Sequence, residues 1–369
     1  MNTAFAAGEV FTGQEILTNK AILVSAGKVV GIVDADSIPA KYRLTQYGYA
    51  MLAPAFLDMQ IYGGNGLLFS EDLTTASLLA TYEYALAGGC TQFMITMATN
   101  SIEKFLAGMQ TVRAYWQEGG KGLLGLHLEG PYISVQKKGA HIEQFIRTPT
   151  LEEIDMILEK GKGVLKMITL APEQCSPEIV SRLLSHHIIV SAGHSNASYD
   201  NATAAFNQGV PCATHLFNAM SALQGREPGL VGAIFDHSKA MSSIICDGIH
   251  VSFDAVRISK KIMGERLYFI TDAVTEITHG EYQHQFRKDH FTLPDGTLSG
   301  SALTMIQAVR NAVERVDIPV MESLRMASLY PARLLGLDNL MGVIAPGAMA
   351  NFVLLDEHLN LRSVIVDGE

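Results

Sequence analysis

Four side chains in this sequence are of the types that bind metal ions and move protons, and each stands where an apolar run gives out. Glu129 closes Gly125-Leu126-His127-Leu128-Glu129 just before a Gly-Pro pair. His194 follows Ser191-Ala192-Gly193, His215 ends Cys212-Ala213-Thr214, and Asp272 follows Phe269-Ile270-Thr271. Each has an ordinary explanation: an acid tied up by loop amides, a helix cap, a hydrogen-bonded core histidine. Ionisable residues are rarely buried without a partner, and four such coincidences at strand ends favour a shared site. One carboxylate and two neutral imidazoles, with a fourth position for water, suit a catalytic zinc, and the same donors tolerate iron or cobalt. Water on such an ion ionises near pH ~7 and becomes a nucleophile, with Asp272 placed to act as general acid and base.

These residues meet only if the fold brings the strand ends together. From Pro54 onward the chain repeats a short apolar run, a loop and an amphipathic stretch. Strands are expected at 55–61, 92–98, 123–129, 165–170, 188–192, 210–215, 242–246 and 267–271. Helices are expected at 73–87, 102–117, 151–160, 177–185, 199–208, 253–263 and 302–315. Eight strand–helix units in series predict an α/β fold of the (β/α)8 TIM type, whose chemistry sits at the carboxyl ends of the strands. Residues 1–52 read as short strands with turns, including a hairpin around Ser25-Ala26-Gly27, and strands return at 351–355 and 363–366. The expected organisation is therefore a small β-sandwich domain from both termini, 1–52 and 336–369, and a catalytic barrel over 53–335.

Composition narrows the function. Lys and Arg number 27 against 37 Asp and Glu, a formal charge of −10 with no basic run, which argues against nucleic acid and anionic membranes as partners. No apolar run reaches membrane-spanning length, and no secretory signal is visible over Met1–Val10. Cys90, Cys175, Cys212 and Cys246 are far apart in sequence and form no Cys-x-x-Cys, so neither a disulfide framework nor a thiolate zinc site is indicated. A reducing, cytoplasmic location is the expectation.

The motifs are also recognisable. His127-Leu128-Glu129-Gly130-Pro131, Lys138-Gly139-Ala140-His141, Ala192-Gly193-His194-Ser195 and Thr214-His215-Leu216-Phe217-Asn218-Ala219-Met220 stand in this order. Gly225-Arg226-Glu227-Pro228-Gly229, Asp247-Gly248-Ile249-His250, Thr271-Asp272-Ala273 and Gly300-Ser301-Ala302-Leu303-Thr304-Met305 follow. In this set the chain resembles the metal-dependent amidohydrolase superfamily and, within it, the N-acetylglucosamine-6-phosphate deacetylases, over nearly its whole length. The resemblance implies hydrolysis of the acetamide of N-acetylglucosamine 6-phosphate to glucosamine 6-phosphate and acetate. It implies Glu129, His194 and His215 as metal ligands and Asp272 as the catalytic acid/base. Substrate contacts are implied for Ala140, His141, Asn218, Ala219, His250 and the loop Leu298-Ser299-Gly300. Arg226 matches a phosphate clamp contributed across a homodimer interface; without the resemblance it reads as a solvated arginine in a Gly-rich loop.

Strand one departs from the superfamily pattern. Where many members carry His-x-His, this chain has Gln60-Ile61-Tyr62, and neither an amide nor a phenol is a good zinc ligand. Lys166 lies at the wrong end of strand four to bridge two metals. One divalent ion per subunit is expected. His127 reads as a residue one layer below Glu129, and His279, His284 and His290 as members of a surface hairpin. Rival readings are a deacetylase for N-acetylgalactosamine 6-phosphate or another cyclic amide and, from another class, a non-catalytic member of the fold.

Overall fold

Eight strands follow one another in chain order around a barrel: β1 (Phe56–Ile61), β2 (Cys90–Ala98), β3 (Leu123–Glu129), β4 (Leu165–Leu170), β5 (Ile189–Ala192), β6 (Cys212–Ala213), β7 (Met241–Ile244) and β8 (Leu267–Phe269). The computed structural model describes residues 2–48 and 50–369. The pairings from β2 to β8 are parallel. The ring closes just past β8, where Ile61 pairs with Ala273, the Asp272 N–H donates to the Gln60 carbonyl at 3.0 Å and the Tyr62 N–H to that of Ala273 at 2.9 Å.

The helices between strands begin where the sequence supplies a side-chain acceptor. Ser101, Thr150, Ser176, Ser198 and Ser252 each accept the N–H three residues on, opening helices Ile102–Gln117, Leu151–Lys160, Pro177–Ser185, Tyr199–Gln208 and Phe253–Met263. Helix Met305–Val316 buries Met305, Ala308, Val309, Ala312 and Val316, a stripe at helical spacing.

Strands β6 and β8 stop short of the expected 210–215 and 267–271. His215 and Asp272 carry φ of 39° and 55°, left-handed values that no β-strand accommodates, so the ladder ends before them. Helix Gly229–Asp236 was not expected: most of it is buried, and a continuous apolar run carries no helical period. The stretch after β8 forms three antiparallel strands, Gln285–Arg287, His290–Thr292 and Leu298–Ser301. This corrects the surface-hairpin expectation at one residue: His284 is 4% exposed, with Nδ1 2.9 Å from the Ser299 hydroxyl.

The chain divides into two compact units, residues 1–58, 85–91 and 304–369, and residues 59–84 and 92–303. In the first, strands from both termini share a five-stranded sheet, with Phe352–Leu355 antiparallel to Met51–Pro54. A four-stranded sheet built on Asn2–Ala6 and Lys20–Ser25 shares its core through Phe5, Ile22, Val24, Leu52, Phe352 and Leu354, a β-sandwich.

Candidate active site

At the carboxyl ends of the barrel strands Glu129, His194, His215 and Asp272 line one cavity, together with His141 and His250. The His215 Nε2 lies 3.0 Å from Glu129 Oε1 and 3.1 Å from His194 Nε2, and His194 Nε2 is 3.4 Å from the same oxygen. His141 Nε2 approaches the other oxygen, Oε2, at 3.1 Å. Donor atoms of Glu129, His141 and His194 all fall within 4.8 Å of one another, a group that could hold a metal ion.

The backbone aims these side chains. His194, His215 and Asp272 all adopt left-handed φ, at 46°, 39° and 55°, as each strand exits into its loop. Such residues cost of order 1–3 kcal/mol apiece and persist where surrounding structure holds them. Here it does: the Ser134 N–H donates to the His194 carbonyl at 2.8 Å, the Ser195 N–H to Ala219 at 3.0 Å, and the His215 N–H to the Ser243 hydroxyl at 2.7 Å. Glu173 accepts from the Ser195 hydroxyl and the Asn196 N–H at 2.7 and 2.6 Å, fixing the loop after β5. Gly130 is required where it stands, because at φ 89° a Cβ would fall 2.1 Å from the Thr99 hydroxyl.

Tautomers follow from the partners. The Lys137 carbonyl can only accept, so the His194 Nδ1 2.9 Å away carries the proton and its Nε2 presents a lone pair to the cavity. The Thr99 N–H donates to His141 Nδ1 at 3.3 Å, which leaves the proton on Nε2, directed at Glu129. The Nδ1 of His215 is buried with no hydrogen-bond partner among the described residues. Two imidazole nitrogens and a carboxylate oxygen this close repel unless a proton or a cation sits among them, and this donor set fits a divalent ion.

Strand one supplies what sequence reasoning treated only as a missing ligand pair. The Gln60 amide donates to Glu129 Oε1 at 2.9 Å and to Asp272 Oδ1 at 2.8 Å, and lies 2.8 Å from the Tyr62 hydroxyl. The Tyr62 hydroxyl donates to Glu129 Oε2 in a short bond. Both are buried and hold the two carboxylates in place. The signal was available in the alternation that puts residues 60 and 62 on the inward face. Asp247 was likewise noticed only as part of a motif. It accepts the His250 backbone N–H at 2.8 Å and sits 2.6 Å from His250 Nδ1, fixing that ring.

The two carboxylates are pulled apart electrostatically. Burial works to raise the Glu129 pKa, but His194 and the hydrogen bonds from His141, His194 and His215 outweigh it and hold the group well below its usual range. Burial raises that of Asp272; His215 opposes the shift and the Glu129 charge reinforces it. Burial, with the neighbouring His194, takes His141 down to about 4, so this imidazole is neutral at physiological pH. One carboxylate thus stays anionic while its neighbour is poised to exchange a proton.

Of the other residues singled out in the sequence, Ala140, Asn218, Ala219, Leu298, Ser299 and Gly300 all line the cavity. Arg226 does not: it is exposed, with no hydrogen bond or ion pair among the described residues. His127 lies beneath Glu129, fully buried, its Nε2 2.7 Å from the Thr169 hydroxyl. Tyr282 and His284 line the cavity too and were missed, because their segment is polar and gave no period pointing inward.

Comparison with known proteins adds a second line. Residues 51–369 match the Amidohydrolase family. An N-acetylglucosamine-6-phosphate deacetylase of Haemophilus influenzae is 33% identical, over 98% of this chain and 97% of its own. An N-acetylgalactosamine-6-phosphate deacetylase of Shewanella sp. is 34% identical over 98% of this chain and 94% of its own. The crystal structure of N-acetylglucosamine-6-phosphate deacetylase from Pasteurella multocida superposes with a TM-score of 0.95 at 34% identity, covering 100% of this chain and 99% of that one.

Proposed function

Because the chain belongs to the amidohydrolase family, we propose that it hydrolyses the acetamide of N-acetyl-D-glucosamine 6-phosphate to D-glucosamine 6-phosphate and acetate. The observation that carries the reading is the meeting of Glu129, His194 and His215 within 3.4 Å beside a buried Asp272 of raised pKa. Glu129, His194 and His215 serve as ligands to one divalent ion, zinc first, with iron or cobalt compatible. Bound there, the ion supplies a Lewis acid and water that ionises near pH ~7.

The side chains do the rest. Asp272 takes the proton of the attacking water and passes it to the nitrogen as the C–N bond breaks, so acetate and the free amine leave in balance. His141, with its proton on Nε2, donates to the carbonyl oxygen as negative charge builds there, which is why it is assigned as a donor and not a ligand. His250, held by Asp247, and Asn218 with the Ala219 backbone take the hydroxyls and phosphate. Ala140, Leu298, Ser299 and Gly300 line the walls. Arg226 completes the phosphate site from the partner protomer of a homodimer, a reading supported by an exposed guanidinium that makes no hydrogen bond or ion pair among the described residues. The proposed domains are 1–52 with 336–369 and 53–335; the sheet shared by strands near both termini supports joining the termini, while the compact units divide at 58–59 and 303–304 and give residues 85–91 to the terminal unit. Four free cysteines and a phosphorylated substrate favour the cytoplasm, and no helix among the described residues is long and apolar enough to cross a membrane.

Acetate release from the glucosamine derivative, with metal content measured on protein purified without chelator, tests the proposal. A metal-free protein that releases no acetate would overturn it. The Shewanella relative makes the galacto epimer the second reading, and turnover on the two epimers in parallel separates them.

A further inference from the structure

The walls of the cavity sort by chemistry. Past β6 and β7 they present Asn218, Ala219 and His250, all able to bond hydroxyls or phosphate. Past β1, β2 and β8 they present Leu68, Ala98, Val274 and Tyr282, joined to Tyr62. These five belong to one apolar cluster, closed from behind by Ile277 and Phe291, in which no member exceeds 9% exposure. The two phenols direct their hydroxyls at protein: Tyr282 donates to the Thr99 carbonyl at 2.7 Å and Tyr62 to Glu129. What these five present to the cavity is carbon, while Ser70, His284 and Ser299 add polar atoms to the same side, the His284 Nδ1 lying 2.9 Å from the Ser299 hydroxyl.

Glu129 marks the border, with Oε1 facing His194 and His215 and Oε2 facing His141 and Tyr62. A substrate whose reacting amide separates a phosphorylated sugar from a short acyl chain fits such a site in one orientation. The sugar needs hydrogen-bonding partners, and the acyl carbon gains by leaving water. Taking the deacetylase reading as its basis, we propose that Leu68, Ala98 and Val274, with the rings of Tyr62 and Tyr282, form the acyl subsite and select the length of the N-acyl group. A wall backed by buried side chains yields little to one added methylene.

The test uses the metal-loaded protein and four substrates, the N-formyl, N-acetyl, N-propionyl and N-butyryl derivatives of glucosamine 6-phosphate. Leu68→Ala and Val274→Ala are expected to raise the propionyl-to-acetyl ratio of kcat/KM about tenfold, the usual worth of one methylene in an apolar pocket. Ala98→Val should lower acetyl relative to formyl by a similar factor while the inhibition constant of the product amine, which has no acyl group, stays constant. Ratios are taken within each variant, so a reduced folded fraction cancels, and if one variant cannot be purified the others decide. Parallel changes on all four substrates, or a shift in product inhibition with fixed ratios, would overturn the acyl assignment alone. An unsubstituted protein inactive on every N-acyl substrate would instead overturn the deacetylase reading, and the subsite with it.

Discussion

Glu129 and Arg226 are both charged residues tied to the proposed substrate, and their surroundings are opposites. Around Glu129 the groups of Gln60, Tyr62, His141, His194 and His215 converge on two carboxylate oxygens, all out of water. Around Arg226 the loop frame is fixed, since Glu227 accepts the N–H groups of Tyr199 and Gly229 at 2.8 and 3.1 Å, yet the guanidinium itself is solvated. The proposed hydrolytic centre is thus assembled within one chain, while the guanidinium proposed for the phosphate meets no partner among the described residues. Preorganisation of this kind is what lowers a barrier, and an open charged arm is what binding still has to order.

That contrast can be attacked from its strong end first. Stripping the ion with a chelator should abolish acetate release, and adding back zinc should restore it; activity that survives complete metal removal would dissolve the centre as described. Next in size is Asp272→Asn, expected to cut turnover about 10²–10⁴-fold with metal content unchanged, read by steady-state assay and metal analysis. Tyr62→Phe removes one donor to Glu129 and should weaken metal affinity about 10–100-fold, measured by competition with a chromogenic chelator. At the open end, Arg226→Ala should raise KM about 10–100-fold, the worth of a charge-assisted bond, and leave kcat nearly unchanged. A fall in kcat as large as that for Asp272→Asn would erase the distinction between the two regions.

A separate effect concerns stability and leaves the contrast itself untouched. Burial takes both His127 and His284 from the usual 6.5 to about 4. The folded protein therefore binds fewer protons than the unfolded chain between these values. The stability this represents is complete above pH 6.5 and is lost as pH falls toward 4. Urea unfolding of the metal-free protein across that window should show the decline, and His284→Gln should make it shallower.

Most of the barrel could be read from residue order, because each strand is a short apolar run and most helices open on a serine or threonine that caps them. The four polar strand ends were visible for the same reason, as exceptions to an apolar pattern. What escaped has physical causes. Helix Gly229–Asp236 is buried almost throughout, so no polar face marked its period. Gln60 and Tyr62 were weighed as ligands and found wanting, but a hydrogen-bond donor to a ligand leaves no spacing rule in a sequence. His284 hides in a polar segment, and the partner its buried ring meets, Ser299, stands fifteen positions later.

The left-handed backbone at His194, His215 and Asp272 carries a consequence for anyone improving this protein. At those three places a glycine would relieve the main chain, and at 272 an asparagine would also spare the fold a buried charge. A library screened only for survival at high temperature should therefore fill with inert proteins, and its most robust members should be blank where the reaction takes place.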